Sequence, residues 1–319
     1  MQSMADRIVL IGTGGTIAGA SASATDNVGY KAGQITVQSL LQALPALAGL
    51  PLEAEQLVQL DSKDMDHATW GRLARRVQAQ LERPDVAAVV ITHGTDTLEE
   101  TAYLLQRVLA PGKPVVLTAA MRPSTAIQAD GPQNLMDALA LAAHPGACGV
   151  MAVVAGQVWS GLELRKTHSY RLDAFESGPD GGPLAVIEEG RVRQFRAWPR
   201  GEALGVALLP DDAIQGGKTW PWVEVLASHA GADPRAVSAW QQAGLEGLVL
   251  ACTGNGTLHQ ALEAPVQALR DAGVPVWRVT RCAQGRIVGA EEEKGAALSP
   301  WAARIELALT LLRQRAQLS

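Results

Sequence analysis

Two glycine-led turns carry hydroxyl side chains directly after short apolar segments. Gly12–Gly19 (GTGGTIAG) follows apolar residues 8–11, and His93–Thr97 (HGTDT) follows the apolar run 86–92. Loops at the carboxyl ends of parallel strands are where open α/β sheets bind ligands, and glycine there lets the backbone approach a ligand closely. A threonine hydroxyl can act as a nucleophile when a base activates it. The carboxylate of Asp96 could bind the ammonium group of an amino acid through a charge-assisted hydrogen bond.

These turns do not match the common nucleotide-binding patterns. A dinucleotide-binding turn needs a third glycine where the sequence has Ile17, and a phosphate-binding Walker loop would end in Gly-Lys-Ser/Thr. Two structural alternatives stay open: the first turn has no ligand, or Thr95 or Asp96 in the second turn only caps the helix that begins near Leu98. His93 is predicted to be structural, because no Gly-x-Ser-x-Gly sequence suggests a Ser-His-Asp triad.

The composition describes an ordinary globular protein that acts on a small molecule. The 319 residues are 47% hydrophobic and carry a net charge of −5 without a basic block, which argues against a nucleic-acid partner. The three cysteines are widely spaced and no Cys-x-x-Cys or i, i+4 histidine pair occurs, so we expect no disulfide framework, no metal and no cofactor. The N-terminus has no long apolar run, which predicts a cytoplasmic protein without a membrane span.

Short apolar segments alternate with helical patterns through the first half, which is typical of a parallel sheet covered by helices. Strands are predicted at residues 7–11, 56–60, 86–92, 114–119 and 149–154. Helices are predicted at residues 37–43, 67–81, 98–109 and from 131 toward 144. Thr36, Asp66 and Asp130 stand where they could cap three of these helices.

The pattern changes after residue 154. Residues 184–187 and 192–195 predict a β-hairpin with its turn at Gly190, and the Pro-, Gly- and Asp-rich residues 199–218 predict a linker. Strands are then predicted at 223–226, 247–251 and 274–279, and helices at 236–243, 258–272 and 300–315. The predicted fold is α/β with two domains. Residues 1–198 form a mostly parallel sheet with helices on both faces and a hairpin, and residues 219–319 form a smaller parallel-sheet domain.

Several segments, in order, resemble those of the bacterial-type L-asparaginase family, which includes the glutaminase-asparaginases. The two turns resemble the two signature segments of that family. Further similar segments cover nearly the whole chain: 29–33 (GYKAG), 120–125 (AMRPST), 129–132 (ADGP), 165–167 (RKT), 254–256 (GNG) and 280–281 (TR). The resemblance implies an amidohydrolase that converts L-asparagine and water to L-aspartate and ammonia without a cofactor.

The resemblance also implies a set of site residues. It makes Thr16 the primary nucleophile, Tyr30 a tyrosine on a mobile loop over the site, Thr95 and Lys166 the second threonine and its lysine, Asp96 the ligand of the α-amino group and Ser62 a ligand of the α-carboxylate, with further substrate contacts from Gly15, Gly94 and Ala120. The site would be completed by Asn255, Thr257 and Glu292 of a neighbouring subunit, in a homotetramer built as a dimer of intimate dimers.

The implied chemistry passes through a threonine ester. Tyr30 with Glu292 would manage the proton of the attacking hydroxyl of Thr16. The second threonine, its lysine and Asp96 would then activate water, with the pKa of the lysine lowered by burial or by neighbouring Arg165. Backbone N–H groups of the glycine-rich turns would steady the oxyanion.

One position departs from the family pattern. Lys63 stands where better-known members carry a polar or acidic side chain near the amino group of the substrate. A cation beside an ammonium would repel it by roughly 1–4 kcal/mol. Lys63 therefore points away from the site, or the preference between asparagine and glutamine differs.

Three alternatives remain at this stage. The first is a glutaminase-asparaginase of broad amide specificity. The second is the amidase subunit of a tRNA-dependent amidotransferase, which carries an extra N-terminal domain, whereas here the first strand is predicted to begin at Arg7. The third is a catalytically silent amino-acid-binding protein on the same fold.

Overall fold

The computed structural model describes residues 7–178, 181–211, 219–290 and 294–318. Within them the strands are β1 Arg7–Gly14, β2 Leu52–Leu60, β3 Val86–Thr92, β4 Pro114–Thr118, β5 Gly149–Val154, β6 Gln157–Ser160, β7 Leu164–Lys166, β8 Phe175–Ser177, β9 Ala185–Glu188, β10 Arg191–Gln194, β11 Val223–Ala227, β12 Gly247–Cys252 and β13 Val276–Thr280. The α-helices are α1 Val37–Gln42, α2 His67–Leu81, α3 Leu98–Leu109, α4 Gly131–Ala142, α5 Arg235–Gln242, α6 Gln260–Asp271 and α7 Pro300–Leu318.

An eight-stranded sheet carries both glycine-led turns. Its strand order is β10-β9-β6-β5-β4-β3-β1-β2. The pairs from β2 to β5 are parallel, and β6, β9 and β10 extend the sheet with antiparallel pairs. Because β1 lies between β2 and β3, the chain leaves β1 toward one edge of the sheet and returns past it to form β3. The connections diverge at such a point and leave a crevice at the carboxyl ends of the strands.

Helices cover the parallel part of this sheet on both faces. On one face α1 and α4 contribute Val37 and Leu135 to a buried cluster with Leu10 and Val90 of the sheet. On the other face α2 contacts β3 and α3, and α3 contacts β5. The continuous apolar run of β3 is therefore the pattern expected of a parallel strand that is buried on both sides.

The predicted fold class is confirmed, and the hairpin is as predicted. Strands β9 and β10 pair antiparallel across a two-residue turn. Both turn residues, Glu189 and Gly190, have positive φ, of 50° and 70°. Positive φ at both central residues is the requirement of a type I′ turn, which matches the twist of the flanking strands. Glycine meets that requirement without strain, and this is why Gly190 marked the turn in the sequence.

The helix caps follow the predictions at two of three positions. The side chains of Thr36 and Asp66 accept hydrogen bonds from backbone N–H groups of the first turns of α1 and α2. Asp130 is the N-cap residue of α4, but the prediction that its side chain caps the helix is wrong, because its carboxylate makes no capping bond to α4. It accepts instead from the backbone N–H groups of Met121 and Arg122, each at 2.9 Å, and so fixes the loop that follows β4.

The chain divides into two compact units. One comprises Met1–Ser177 and Gly182–Val206, and the other comprises Gly178–Gly181 and Ala207–Ser319. The second unit has a three-stranded parallel sheet, β11-β12-β13, with α5 and α6 packed on each other and α7 in contact with all three strands. The division at 206/207 falls inside the predicted linker 199–218, which stays a prediction because residues 212–218 lie outside the described residues. No described helix is long and apolar enough to cross a membrane.

Candidate active site

The two glycine-led turns touch each other at the carboxyl edge of the large sheet. β1 and β3 are paired neighbours, so their following turns leave the sheet side by side. Gly15 has a φ of +77°, and a Cβ atom added there would lie within 3.0 Å of the Gly94 backbone and 2.7 Å from the carbonyl carbon of His93. Only glycine permits this approach. Thr16 and Thr95 each follow one of the two touching glycines, so the structure brings both predicted hydroxyl residues to one place.

Thr16 is bonded to Tyr30. The Oγ1 atom of Thr16 and the hydroxyl of Tyr30 are 2.6 Å apart, and Thr16 is 6% exposed. The backbone of Ala20 pairs with that of Lys31 through two bonds of 3.0 Å, which closes the base of the loop that carries Tyr30. A Cβ atom on Gly19 would lie 2.9 Å from the Tyr30 ring, so glycine there lets the ring lie over the first turn.

Thr95, Asp96 and Lys166 form a second bonded group. Lys166, at the end of β7, donates from Nζ to Thr95 Oγ1 at 2.8 Å and to Asp96 Oδ1 at 2.7 Å. Lys166 is 17% exposed and Asp96 is 52% exposed, so the pair lies at the rim where a ligand can reach the carboxylate. The side chains of Thr95 and Asp96 are thus directed to Lys166, although they had the alternative of capping α3.

Ser62 joins the loop after β2 to the second turn. Its Oγ accepts from the backbone N–H of Asp96 at 3.2 Å, and its carbonyl oxygen accepts from the Thr97 hydroxyl at 2.8 Å. Ser62 is 1% exposed. A Cβ atom on Gly94 would lie 2.7 Å from the Ser62 Cβ, so the Gly94 backbone is in close contact with the Ser62 side chain. The structure therefore places Ser62 beside the backbone of the second turn.

Lys63 is directed away from this group. Its ammonium group donates to Asp61 at 2.6 Å and lies 3.4 Å from Asp64, with 61% of the side chain exposed. These carboxylates, with Asp61 the larger cause, raise the pKa of Lys63 above its usual value. Of the two alternatives stated for Lys63, the structure supports the one in which it points to solvent and to its own acidic neighbours.

His93 is a structural residue, as predicted. It is fully buried, with Nδ1 2.7 Å from the Gly94 carbonyl oxygen and Nε2 3.0 Å from the Thr101 hydroxyl. Trp70 donates to the same hydroxyl at 2.9 Å, which leaves the hydroxyl proton for Nε2. Burial lowers the pKa of His93 to about 4, so the ring is neutral at pH 7 and its Nδ1–H holds the second turn.

The contacts of the remaining predicted site residues say less about their roles. Ala120 follows β4 and its side chain is buried against Ile17, so only its backbone could meet a ligand. In the second unit, Thr257 bonds to Thr253 between their hydroxyls at 2.8 Å, and Asn255 donates to the Val288 carbonyl at 3.0 Å. Both lie on the loop that follows β12. Glu292 lies outside the described residues.

Glu99 is a residue of this site that the sequence did not predict. Its Oε2 accepts from the backbone N–H of Lys166 at 2.8 Å, and burial raises its pKa to about 7. An acidic residue in the first turn of a helix is common because it interacts favourably with the helix dipole. The sequence therefore gave no signal that this carboxylate serves another element.

A second concave surface lies at the opposite, amino-terminal edge of the sheet. It is a groove of about 800 Å³ whose lining includes Lys113, His144 and Arg200. Lys113 is bonded to the carbonyl oxygens of Leu81 and Arg83, and no hydroxyl residue lines the groove. Within the described parts of the chain, no group of three His, Cys, Asp or Glu side chains could hold a metal ion. The chemistry-bearing groups are those of the two turns.

Fold and site together define a class of two-unit α/β proteins in which two touching turns beyond a parallel sheet carry threonine hydroxyls, one bonded to a tyrosine and the other to a lysine. Comparison with known proteins agrees with this class. Residues 7–200 match the family described as "Asparaginase, N-terminal", and residues 222–317 match "Glutaminase/Asparaginase C-terminal domain".

Relatives of known name match over nearly the full chain. A glutaminase-asparaginase of Acinetobacter glutaminasificans is 34% identical, over 97% of this chain and 96% of its own length. L-asparaginase 2 of Bacillus subtilis is 35% identical, over 96% of this chain and 82% of its own. The crystal structure of a probable cytoplasmic L-asparaginase from Campylobacter jejuni is similar with a TM-score of 0.86 and 35% identity, covering 96% of this chain and 95% of that one. The chain belongs to the asparaginase family of amidohydrolases.

Proposed function

We propose that this enzyme hydrolyses the side-chain amide of L-asparagine through an ester on Thr16, releasing ammonia and then L-aspartate. The observation that carries the proposal is the 2.6 Å hydrogen bond between Thr16 Oγ1 and the Tyr30 hydroxyl on a nearly buried turn. A threonine hydroxyl is a weak nucleophile, so it needs a partner that accepts its proton during attack. Tyr30 is within the distance that general-base catalysis requires.

Acylation uses the first turn. Thr16 Oγ1 attacks the carboxamide carbon while its proton passes to the Tyr30 oxygen, and Tyr30 gives its own hydroxyl proton to the leaving nitrogen, so that the C–N bond breaks and ammonia departs. The substrate is held by its α-amino group at Asp96 and by its α-carboxylate near Ser62. Asp96 Oδ1 accepts from Lys166, and Oδ2 accepts from the substrate ammonium.

Deacylation uses the second turn. Water attacks the ester carbon and gives a proton to Thr95 Oγ1 as the hydroxyl proton of Thr95 passes to Nζ of Lys166, 2.8 Å away, which enters this step as the neutral amine. The C–O bond to Thr16 then breaks, and the hydroxyl regains its proton. The contact between the Gly15 and Gly94 backbones supports these separate roles of the two turns, since it keeps the turns that carry Thr16 and Thr95 close to one substrate carbonyl carbon.

Glutaminase-asparaginase activity is a second candidate. Three of the relatives at 34–35% identity are named glutaminase-asparaginases. Lys63 is exposed and paired with Asp61 and Asp64, so we expect that it repels the ammonium group of neither substrate. Parallel measurement of ammonia release from asparagine and from glutamine decides between the two activities.

We further propose that the enzyme is a homotetramer in which Asn255, Thr257 and Glu292 of a neighbouring subunit complete each site. Light scattering checks the assembly, and a mixture of Thr16→Ala and Asn255→Ala subunits that regains activity would support the shared site. For location we propose the cytoplasm, as named for the Campylobacter jejuni neighbour, whereas a Haemophilus influenzae relative is named as probably periplasmic. Cell fractionation distinguishes these locations.

The central experiment replaces the two threonines of the first turn separately. Thr16→Ala removes the nucleophile and should lower kcat by roughly 10³-fold or more. Thr13→Ala is the matched control, because Thr13 lies in the same turn with its hydroxyl donating to the Thr92 carbonyl at 2.9 Å. It should lower stability and leave kcat within roughly threefold. Hydroxylamine added during turnover should yield the hydroxamate of aspartate with the native enzyme. Near-normal turnover by Thr16→Ala would exclude the ester.

A further inference from the structure

A buried carboxylate at the start of α3 accepts a hydrogen bond from the strand that carries Lys166. β7 is three residues long and pairs with β8 in a two-stranded sheet that is separate from the large sheet. Its position relative to Thr95 therefore does not follow from the ladder of the large sheet. Glu99 lies in the first turn of α3, three residues after Asp96, and its Oε2 accepts from the backbone N–H of Lys166 at 2.8 Å.

The charges around Glu99 suit this role. Its near charged neighbours are Glu100 on the same turn of α3 and Arg165 and Lys166 on β7. Of the other elements in contact with α3, β5 has no ionisable side chain and α2 carries His67, Arg72, Arg75 and Arg76. Burial and Glu100 oppose the ionised carboxylate, whereas the hydrogen bond from the backbone N–H of Lys166 and the two cations favour it. Burial is the larger influence and raises the pKa of Glu99 to about 7. A backbone N–H bond to an ionised carboxylate is stronger than one to a neutral acid.

We propose that Glu99 is a positioning residue that fixes the backbone of Lys166, so that Nζ reaches Thr95 Oγ1 and Asp96 Oδ1 together. The inference rests on the proposed function for the role of Lys166. It goes beyond that function because Glu99 touches neither the substrate nor the reacting atoms. Glu99 acts through Lys166 alone. It holds the backbone N–H of that residue and so places Nζ, at the end of its side chain.

Two substitutions separate the hydrogen bond from the charge. Glu99→Gln keeps an acceptor oxygen but neither charge nor titration, and Glu99→Ala removes the acceptor. We expect Glu99→Ala to lower kcat at pH 8 by about 10- to 100-fold with KM within about threefold, because a displacement of about 1 Å at a reacting group costs up to 10²-fold. Glu99→Gln should lower kcat about three- to fivefold and lack the decline of the native enzyme below pH 7, so that the two enzymes converge near pH 6.

Glu176→Gln is the matched control. Glu176 lies on β8 opposite Arg165, so the substitution removes a carboxylate charge from the same two-stranded sheet at an exposed position. Its kcat and pH profile should be those of the native enzyme. Thermal unfolding of each variant gives the folded fraction. A loss of kcat in Glu99→Ala that merely equals the loss of folded protein would overturn the proposal, as would a Glu99→Gln profile with the native decline.

A measurement without turnover keeps this inference separate from the proposed function. Each folded variant is acetylated briefly with acetic anhydride, and the modification of Lys166 is compared with that of Lys113 by peptide mass spectrometry. If Lys166 is released in Glu99→Ala, its rate of acetylation relative to that of Lys113 should rise by about threefold or more. In Glu99→Gln this relative rate should stay near that of the native protein. If native protein releases no ammonia from asparagine or glutamine, the proposed function fails while this ratio still tests Glu99. An unchanged ratio in Glu99→Ala would refute the positioning role.

Discussion

Replacing Gly15 with alanine should separate the two glycine-led turns. The backbone of Gly15 has φ 77° and ψ −174°, a region that is almost restricted to glycine. The new methyl group would also meet backbone atoms of the second turn, among them the carbonyl carbon of His93 at 2.7 Å. A backbone cannot rotate out of the way as the end of a side chain can. The turns must therefore move apart by about 1 Å to reach ordinary van der Waals distance.

The magnitude follows from these two causes. The strained conformation costs about 1–3 kcal/mol, and forcing a methyl group into a filled space costs another 1–3 kcal/mol. Together they lower the free energy of unfolding by about 2–6 kcal/mol. A displacement of about 1 Å between reacting groups should lower kcat by roughly 10²-fold. The loss of activity thus exceeds what the loss of stability alone would produce at 25 °C.

The assay is ammonia release together with thermal unfolding, with Gly146→Ala as the control. Gly146 has a φ of +79°, nearly that of Gly15, and an added Cβ atom would have no neighbour within 4 Å. Gly146→Ala should therefore lower the Tm modestly and leave kcat native. The reasoning is refuted if Gly15→Ala keeps kcat within about threefold of native, or if its Tm falls no further than that of Gly146→Ala.

Three further predictions concern single side chains. Tyr30→Phe removes the hydroxyl bonded to Thr16 and should lower kcat by about 10²–10⁴-fold with little change in Tm, as measured by initial rates; a near-native rate would assign the proton transfer elsewhere. Lys63→Gln should change KM for asparagine less than about fivefold, because exposed ion pairs contribute only about 0–1 kcal/mol; a larger change would place Lys63 at the substrate. The pKa of His93 is lowered to about 4, so the unfolded chain binds a proton first and stability should fall by about 3 kcal/mol as pH drops from about 6.5 to 4. Urea unfolding of His93→Gln, which is less stable at pH 7, should lack that contribution, and an equally steep decline would contradict it.

The large sheet was predictable because its strands are buried on both faces. Such strands read as unbroken apolar runs, and β3 and β5 were predicted with their observed bounds, Val86–Thr92 and Gly149–Val154. The short strands β6, β7 and β8 were not predicted. β7 contains Arg165 and Lys166 and has only three residues, so it shows no periodicity. It forms because β8 pairs with it and α3 covers it, which are contacts between residues distant in the sequence.

The site was predictable in its parts and less so in its connections. Glycine-led turns after two strands indicated that Thr16 and Thr95 share one edge, because parallel strands end at the same edge of a sheet. The hydrogen bond that Ser62 Oγ accepts from the backbone N–H of Asp96 could not be inferred, since it joins segments 34 residues apart. The role of Asp130 was mistaken for the same reason. Its sequence position fits a cap, but its carboxylate instead accepts hydrogen bonds from two backbone N–H groups of the loop after β4.

The pairing of β1 with β3 sets the distance between the two glycine-led turns that follow these strands. Neighbouring strands lie about 4.8 Å apart, a spacing that the backbone ladder holds constant whatever side chains the strands carry. The two threonine hydroxyls lie on the turns that follow these strands, so the sheet fixes the spacing of the two turns. In the proposed function these hydroxyls are the nucleophile and the group that activates water, and a substrate longer by one methylene would meet the same spacing. Selection by chain length is then expected at the far end of the substrate, where Asp96 binds the α-amino group in the proposed function.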